Sequence, residues 1–232
     1  MNRDLLERLL EARRRQQPAA HLRWLDSGRE RLVLADELGS LPADDPLAPI
    51  IRKALRDDRG ATIDTDEGRL FVQPFNPPLR LVVVGAVHIS QALVPMAGLA
   101  GYDVTLVDPR RSFASEQRFP GVAISHDWPD EALEALALNA RTAVVTLTHD
   151  PKLDDPALDV ALRSDAFYIA ALGSRRTHGA RLERLTALGH DEATLARIHG
   201  PAGLALGAVS PAEIAISVLA EMTSVLHGVD RA

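Results

Sequence analysis

The sequence predicts an α/β protein, a doubly wound parallel sheet with strand order 3-2-1-4-5, preceded by a small α+β domain. Three observations carry this. From residue 79 onward, short apolar runs alternate with amphipathic segments long enough for crossover connections, the pattern of a parallel sheet covered on both faces. The first of these runs, "LVVVGAVHIS" (residues 81–90), reads as buried strand, glycine turn and helix start. Ahead of it, "PFNPPLR" (residues 74–80) places three prolines and Asn76 where neither helix nor strand can continue. The expected division is a small domain over residues 1–75, a linker over 76–80, and the α/β domain over 81–232.

In the leading stretch, Leu5, Leu6, Leu9 and Leu10 recur at helical spacing, and "HLRWLDSGRERLVLA" reads as a hairpin turned by Asp26, Ser27 and Gly28. "DPLAPIIRKALRDD" predicts a second helix, followed by another hairpin around "DTDEGR". His21 and Trp24 stand alone in their hairpin and read as packing residues. Beyond the prolines the expected strands are 81–84, 103–107, 121–124, 142–148 and 166–172. In "SPAEIAISVLAEM", Ser210, Pro211 and Glu213 supply a cap, a first-turn proline and a capping-box partner for a late helix.

Composition narrows the function classes. The chain has 232 residues, is 46% hydrophobic and can bury one good core beside a smaller unit. No stretch approaches the roughly 18–20 continuous apolar residues of a membrane span, and the first residues lack a signal-peptide core, so a cytoplasmic protein is expected. The net charge is -6 and only 4% of residues are aromatic, which argues against nucleic acid as a partner. There is no cysteine, so disulfides, thiolate metal sites, a cysteine nucleophile and a persulfide carried on this chain are excluded.

The topology locates a site before any motif does, because open α/β sheets bind ligands beyond the carboxyl ends of their strands, where the strand order reverses. Strands one and four flank that point. Gly85 and His88 follow strand one; Thr148, His149 and Asp150 follow strand four; and strand five runs into "LGSRRTHGARLERL", with Gly173 and Ser174 ahead of a helix whose first turn holds Arg175 and Arg176. Arginine is unfavourable at the positive end of a helix dipole, and two of them there point to an anionic ligand, a phosphate above all. His88 is either a ligand group or a solvated polar residue, and His149 and Asp150 either meet a ligand or brace their loop. Asp108 closes strand two where a dinucleotide enzyme holds the ribose diol, yet "VDP" is also an ordinary strand-ending turn. A metal bound by the two histidines and Asp150 lacks any supporting ligand spacing. The dinucleotide fingerprint G-x-G-x-x-G is incomplete, since Val87 takes its second glycine position and projects a branched side chain where a pyrophosphate would lie.

The segments "LVVVGAVHISQAL", "YDVTLVDPR", "RFPGV", "VVTLTHDPKLD", "FYIAALGSRRTHGARLERL" and "ARIHGPAGLALGAVSPAEIAISVLAEM" together resemble the XdhC/CoxI family over nearly all of residues 79–227. The resemblance implies a Rossmann-like domain and an accessory chaperone without turnover of its own. Such proteins bind molybdenum cofactor, as molybdopterin or its cytosine dinucleotide form, promote its sulfuration with a cysteine desulfurase, and insert it into an apo molybdenum hydroxylase of the xanthine dehydrogenase or carbon monoxide dehydrogenase type. With such a cofactor, the loops at the switch point put forward Gly85, His88, Asp108, His149, Asp150, Gly173, Ser174, Arg175 and Arg176 as the expected contacts. The chain departs from the family pattern at Val87, at Ala170 and at Ala205, and residues 1–78 lack the family's "G-[ST]-I-G-G-G" segment. That last departure implies a paralogue of the same type working beside this chain, with a homo-oligomer as a further expectation. Two other readings stay open. One is a nicotinamide-dependent oxidoreductase with Asp108 on the ribose and His149 as proton donor; the other is a ligand-free assembly scaffold.

Overall fold

Alternation of apolar and polar residues builds the first sheet. In the computed structural model, which describes residues 2–42 and 44–229, strand β1 (Ala19–Trp24) buries Ala20, Leu22 and Trp24 while Arg23 faces solvent. It pairs antiparallel with β2 (Glu30–Leu34) through the Asp26–Gly28 turn, where Gly28 adopts φ +72°. β3 (Ala61–Thr65) and β4 (Gly68–Phe75) form the second hairpin, and the sheet order is β2-β1-β4-β3. Helix α1 (Arg3–Arg14) buries Leu9 and Ala12 against Ala19 and Leu32. Helix α2 (Leu47–Asp57) sets Ile51 and Ala54 among Leu22, Trp24, Leu70 and Val72. These elements make up one compact unit, residues 1–77; the other comprises residues 78–232.

The second unit is a six-stranded parallel sheet. Its strands are β5 (Leu79–Val84), β6 (Tyr102–Val107), β7 (Ala123–Ser125), β8 (Thr142–Thr146), β9 (Tyr168–Ala171) and β10 (Ile198–His199), in spatial order β10-β9-β8-β5-β6-β7. Numbered from β5, this is 3-2-1-4-5 with a two-residue sixth strand added at the edge, too short to stand out in the sequence. The central strands read as continuous apolar runs because both faces are covered. Leu81, Val83, Val145 and Ala170 pack under α3 (His88–Leu99) and α8 (Pro211–Leu226). Val82, Val84, Val144 and Ile169 pack under α4 (Pro129–Ala135), α5 (Pro151–Leu162), α6 (Arg175–Ala187) and α7 (Glu192–Leu195).

Boundaries differ from the sequence expectation where a turn intervenes. β5 starts two residues early, at Leu79 and Arg80, pairing them with Tyr102 and Asp103. β7 starts late because Gly121 turns at φ +70°, and β8 ends at Thr146, leaving Leu147 and Thr148 to the loop. The start of α8 forms as its sequence dictates: Ser210 Oγ accepts from Glu213 N–H at 3.2 Å, and Glu213 Oε2 accepts from Ser210 N–H at 2.8 Å.

Candidate functional site at the carboxyl edge of the parallel sheet

The sheet hydrogen bonds run on past the strand ends and hold the loops in a row. Gly85 N–H donates to Val107 O, Leu147 N–H to Val84 O and Leu172 N–H to Thr146 O, each at 2.9 Å. The loop after β5 lies directly against the loop after β8. Gly85 adopts φ +111°, and a Cβ there would stand 2.6 Å from Thr148 Cγ2, so only glycine lets the two loops touch. Val87 caps α3 with no acceptor of its own; its N–H donates to Ser90 Oγ at 3.3 Å, and that hydroxyl donates to Gly85 O.

Asp108 is 1% exposed and its carboxylate is committed within the chain. One oxygen accepts from the Arg110 N–H and Nε at 2.9 Å; the other accepts from Ala86 N–H and Arg110 Nη2 at 2.8 Å. Burial alone would raise this carboxyl, but the Arg110 side chain and the two backbone N–H groups outweigh it and hold it below the usual aspartate value. Arg118, from "RFPGV", adds a second brace by donating to Ala86 O at 2.9 Å and Phe113 O at 2.6 Å.

The loop after β8 is braced from below by a residue that sequence reasoning passed over. His149 holds a left-handed backbone at φ +61°, sparsely populated for a non-glycine residue, and its imidazole is exposed. Buried Asp154 pins it there, accepting from Thr148 Oγ1 at 2.7 Å and His149 N–H at 3.1 Å. Asp150 caps α5, one oxygen accepting from Lys152 N–H at 3.0 Å. Behind Asp154 lies Arg181 of α6, 2% exposed, its Nη2 3.8 Å from the carboxylate and 2.9 Å from Leu172 O, to which it donates. Arg181 Nε and Nη1 have no hydrogen-bond partner among the described residues. Burial pushes Asp154 up and Arg181 down, toward their neutral forms. Asp154 and Arg181 thus join the loops after β8 and β9.

In the loop after β9, Gly173 adopts φ +145° and Ser174 Oγ caps α6, accepting from Thr177 N–H at 3.1 Å. Arg175 and Arg176 are exposed on the first turn, and neither guanidinium has a hydrogen bond or ion pair among the described residues. Arg175 also lines a cleft of about 600 Å³ whose other wall is the 200–208 segment, "GPAGLALGA". At its floor Glu221 accepts from Tyr168 Oη at 2.6 Å and Gly203 N–H at 2.9 Å, with His199 Nδ1 at 3.4 Å. Burial opposes that charge, but His199, Tyr168 and Gly203 together hold the carboxyl below its usual value.

The geometry therefore brings Gly85 to Thr148 and ties His149, Asp154 and Arg181 to the strand leading into Gly173. It leaves Arg175 and Arg176 as uncompensated cations. His88 is exposed on the first turn of α3, with no hydrogen bond among the described residues. Sequence reasoning passed over Asp154, Arg181 and Glu221; the signal that could have found them is a charged residue on an otherwise apolar helical stripe, with Ala157, Leu185 and Val218 as neighbours.

A model of the XdhC Rossmann domain matches residues 81–222, the whole row of loops included. The chain belongs to the XdhC family. This XdhC protein is 34% identical to the molybdenum cofactor insertion chaperone PaoD of Escherichia coli K12 over 154 residues, 66% of this chain and 42% of PaoD. It is 35% identical to YqeB of the same organism over 148 residues, 63% of this chain and 27% of YqeB. A probable xanthine dehydrogenase subunit from Bacillus subtilis is 29% identical over 154 residues, 66% of this chain and 44% of that protein. The chain thus spans less than half the length of these curated relatives. A crystal structure described as a xanthine dehydrogenase from Bacillus halodurans shares the fold, with a TM-score of 0.68 at 24% identity over 99% of this chain and 66% of that one. No helix among the described residues is long and apolar enough to cross a membrane.

Proposed function

We propose that this XdhC protein is a molybdenum cofactor chaperone that holds the cofactor at the carboxyl edge of its parallel sheet and delivers it to an apo molybdenum hydroxylase of the xanthine dehydrogenase or carbon monoxide dehydrogenase type. The observation that carries this is the Arg175–Arg176 pair, two cations without counter-charge among the described residues at a helix start that is itself positive, Arg175 lining a cleft of about 600 Å³. An anion with a polar body is what such an arrangement takes, and molybdopterin is a polar pterin with a terminal phosphate. The cleft volume lies within the range of small-molecule sites. The names of the relatives, a cofactor insertion chaperone and a dehydrogenase component, support the same reading.

In this reading Arg175 and Arg176 clamp the phosphate, Gly173 and Ser174 shape the turn that presents them, and His149 and His88 offer exposed imidazoles to the remaining polar groups. Asp150 sets the helix start beside His149, Gly85 lets the first loop close on Thr148, and Asp108 acts at one remove by fixing Ala86. The molybdopterin and cytosine dinucleotide forms are both candidates. Any sulfur installed on the cofactor comes from a cysteine desulfurase, because this chain has no thiol. A paralogue with the glycine-rich N-terminal segment, or a second copy of this chain, completes the proposed assembly. A nicotinamide dinucleotide suits the site less well, because Asp108 has both oxygens engaged and Val87 replaces the second glycine of the fingerprint. Native mass spectrometry of the chain expressed in a host that makes molybdenum cofactor tests the proposal. A bound mass equal to the cofactor is expected; a nicotinamide dinucleotide, or no ligand with cofactor abundant, overturns it.

A further inference from the structure

The unit of residues 1–77 carries a groove that the proposed chaperone site does not use. β3 is the edge of its sheet, bonded to β4 on one side and, among the described residues, to no strand on the other, and three of its five residues, Ala61, Thr62 and Asp64, are exposed. α2 packs mainly over β1 and β4, with Ile63 of β3 at the margin of the same cluster. Two clefts, of about 790 and 580 Å³, follow α2 and β3 and share Ile50 and Ile63 as an apolar floor. Trp24 lines the larger cleft. It is 3% exposed, the Arg29 guanidinium covers its ring at 3.7 Å, and its indole N–H has no acceptor among the described residues. Arg29 is paired with Glu67; Asp64, whose cross-strand neighbour is Arg69, and Asp66 make no ion pair among the described residues. The larger cleft is net acidic, five carboxylates against Arg29 and Arg31, while Lys53 and Arg59 line the smaller one beside Asp57.

We propose that the α2–β3 groove docks an extended segment of a partner protein in which basic side chains alternate with apolar ones. An open edge of this length is a template for strand addition, in which main-chain bonds give affinity and alternate side chains give specificity. Apolar side chains enter over Ile50 and Ile63. The basic ones meet Asp64, a cross-strand pair of opposite charge, and Asp66 in the adjoining turn. A second copy of this chain is the wrong occupant, since pairing one β3 edge with another brings the same carboxylates together.

The probe is the peptide acetyl-Ile-Arg-Val-Lys-Ile-Arg-amide, with two controls: one with glutamate in place of each basic residue, and one with alternate amides N-methylated. The host is the full chain carrying Trp128→Phe, so that Trp24 alone emits. The basic peptide is expected to bind saturably and shift Trp24 emission, while both controls bind weakly. By anisotropy, Asp64→Asn with Asp66→Asn, on exposed or rim positions, weakens it by about tenfold. The proposal is overturned by affinity weaker than about 1 mM, by equal binding of the glutamate or N-methylated peptide, or by unchanged affinity in the Asn variant. Self-association in sedimentation that Asp64→Asn alters would equally overturn it, by making the occupant a second copy.

Discussion

Arg181 and Asp154 face each other at 3.8 Å with side chains each 2% exposed, and between them they fasten the loop after β8 to the loop after β9. A buried pair is weak evidence for net stability, but breaking one side of it strands the other charge. Arg181→Met is therefore expected to cost about 3–5 kcal/mol near neutral pH. The deficit should shrink in acid. Burial raises Asp154, so the folded chain binds that proton more tightly than the unfolded chain, whose aspartate titrates near 3.8. Protonation thus favours the fold, fully below the unfolded value, and that benefit is lost as pH rises through the raised folded value. Urea unfolding of both proteins across mildly acid to neutral pH checks this; a deficit independent of pH would mean that Arg181 does not compensate Asp154.

Asp108 predicts the opposite slope. Its folded value is depressed, so the unfolded chain binds more protons, and the stability Asp108 supplies is present above 3.8 and lost as pH falls through the folded value. Asp108→Asn should cost about 2–3 kcal/mol at neutral pH, since charge-assisted bonds to Arg110 and Ala86 weaken together. The variant and parent should converge in acid. Unfolding midpoints that stay parallel down to the acid transition would contradict this.

Gly85 joins two costs that can be separated. Gly85→Ala is expected to destabilise by about 2–4 kcal/mol, part from an alanine at positive φ and part from the clash with Thr148. Thr148→Ser removes the methyl in the way and keeps the hydroxyl that bonds Asp154. A double-mutant cycle should then recover the steric part and leave the backbone part. Additive losses would show that the loops do not touch through these two groups.

Element type and strand order were legible because period and length decide them: apolar runs of four to seven residues between amphipathic segments leave few alternatives to a parallel sheet. The turn chemistry at Gly28 and the capping box of Ser210 with Glu213 were legible for the same local reason. The site was only partly so. Arg175 and Arg176 stood out by breaking a local rule, whereas His149 and Asp108 each had a ligand reading and a structural one, and the bonds of Asp108 to Arg110 and Ala86 are visible only in the fold. The Asp154–Arg181 tie joins residues 27 positions apart. No local pattern pairs them; only the packing of α5 beside α6 does.

Val87 tests the exclusion of a dinucleotide. It stands at the second fingerprint position, the N-cap of α3, half-buried with its side chain against the core. Val87→Gly should create measurable NAD binding in calorimetry where the parent shows little or none, at some loss of melting temperature. Tight NAD binding by the parent would sink the steric argument and promote the oxidoreductase reading.

Arg175 and Arg176 carry the proposed function, so their removal is the most direct test of it. Both are exposed, neither is paired among the described residues, and both lie at the positive end of α6, so in the free protein they contribute nothing favourable that their loss would forfeit. Arg175→Ala with Arg176→Ala should leave the melting temperature unchanged or slightly raised. Against a bound phosphate each guanidinium makes charge-assisted bonds, at exposed positions near the lower end of about 1.5–3 kcal/mol apiece. The double variant should therefore lose about a hundredfold in cofactor affinity. Structural arginines would give the reverse, a lower melting temperature with affinity intact. Thermal unfolding without ligand and cofactor titration on the same variant read the two quantities independently, and unchanged affinity would move the anion site away from the "GSRR" turn.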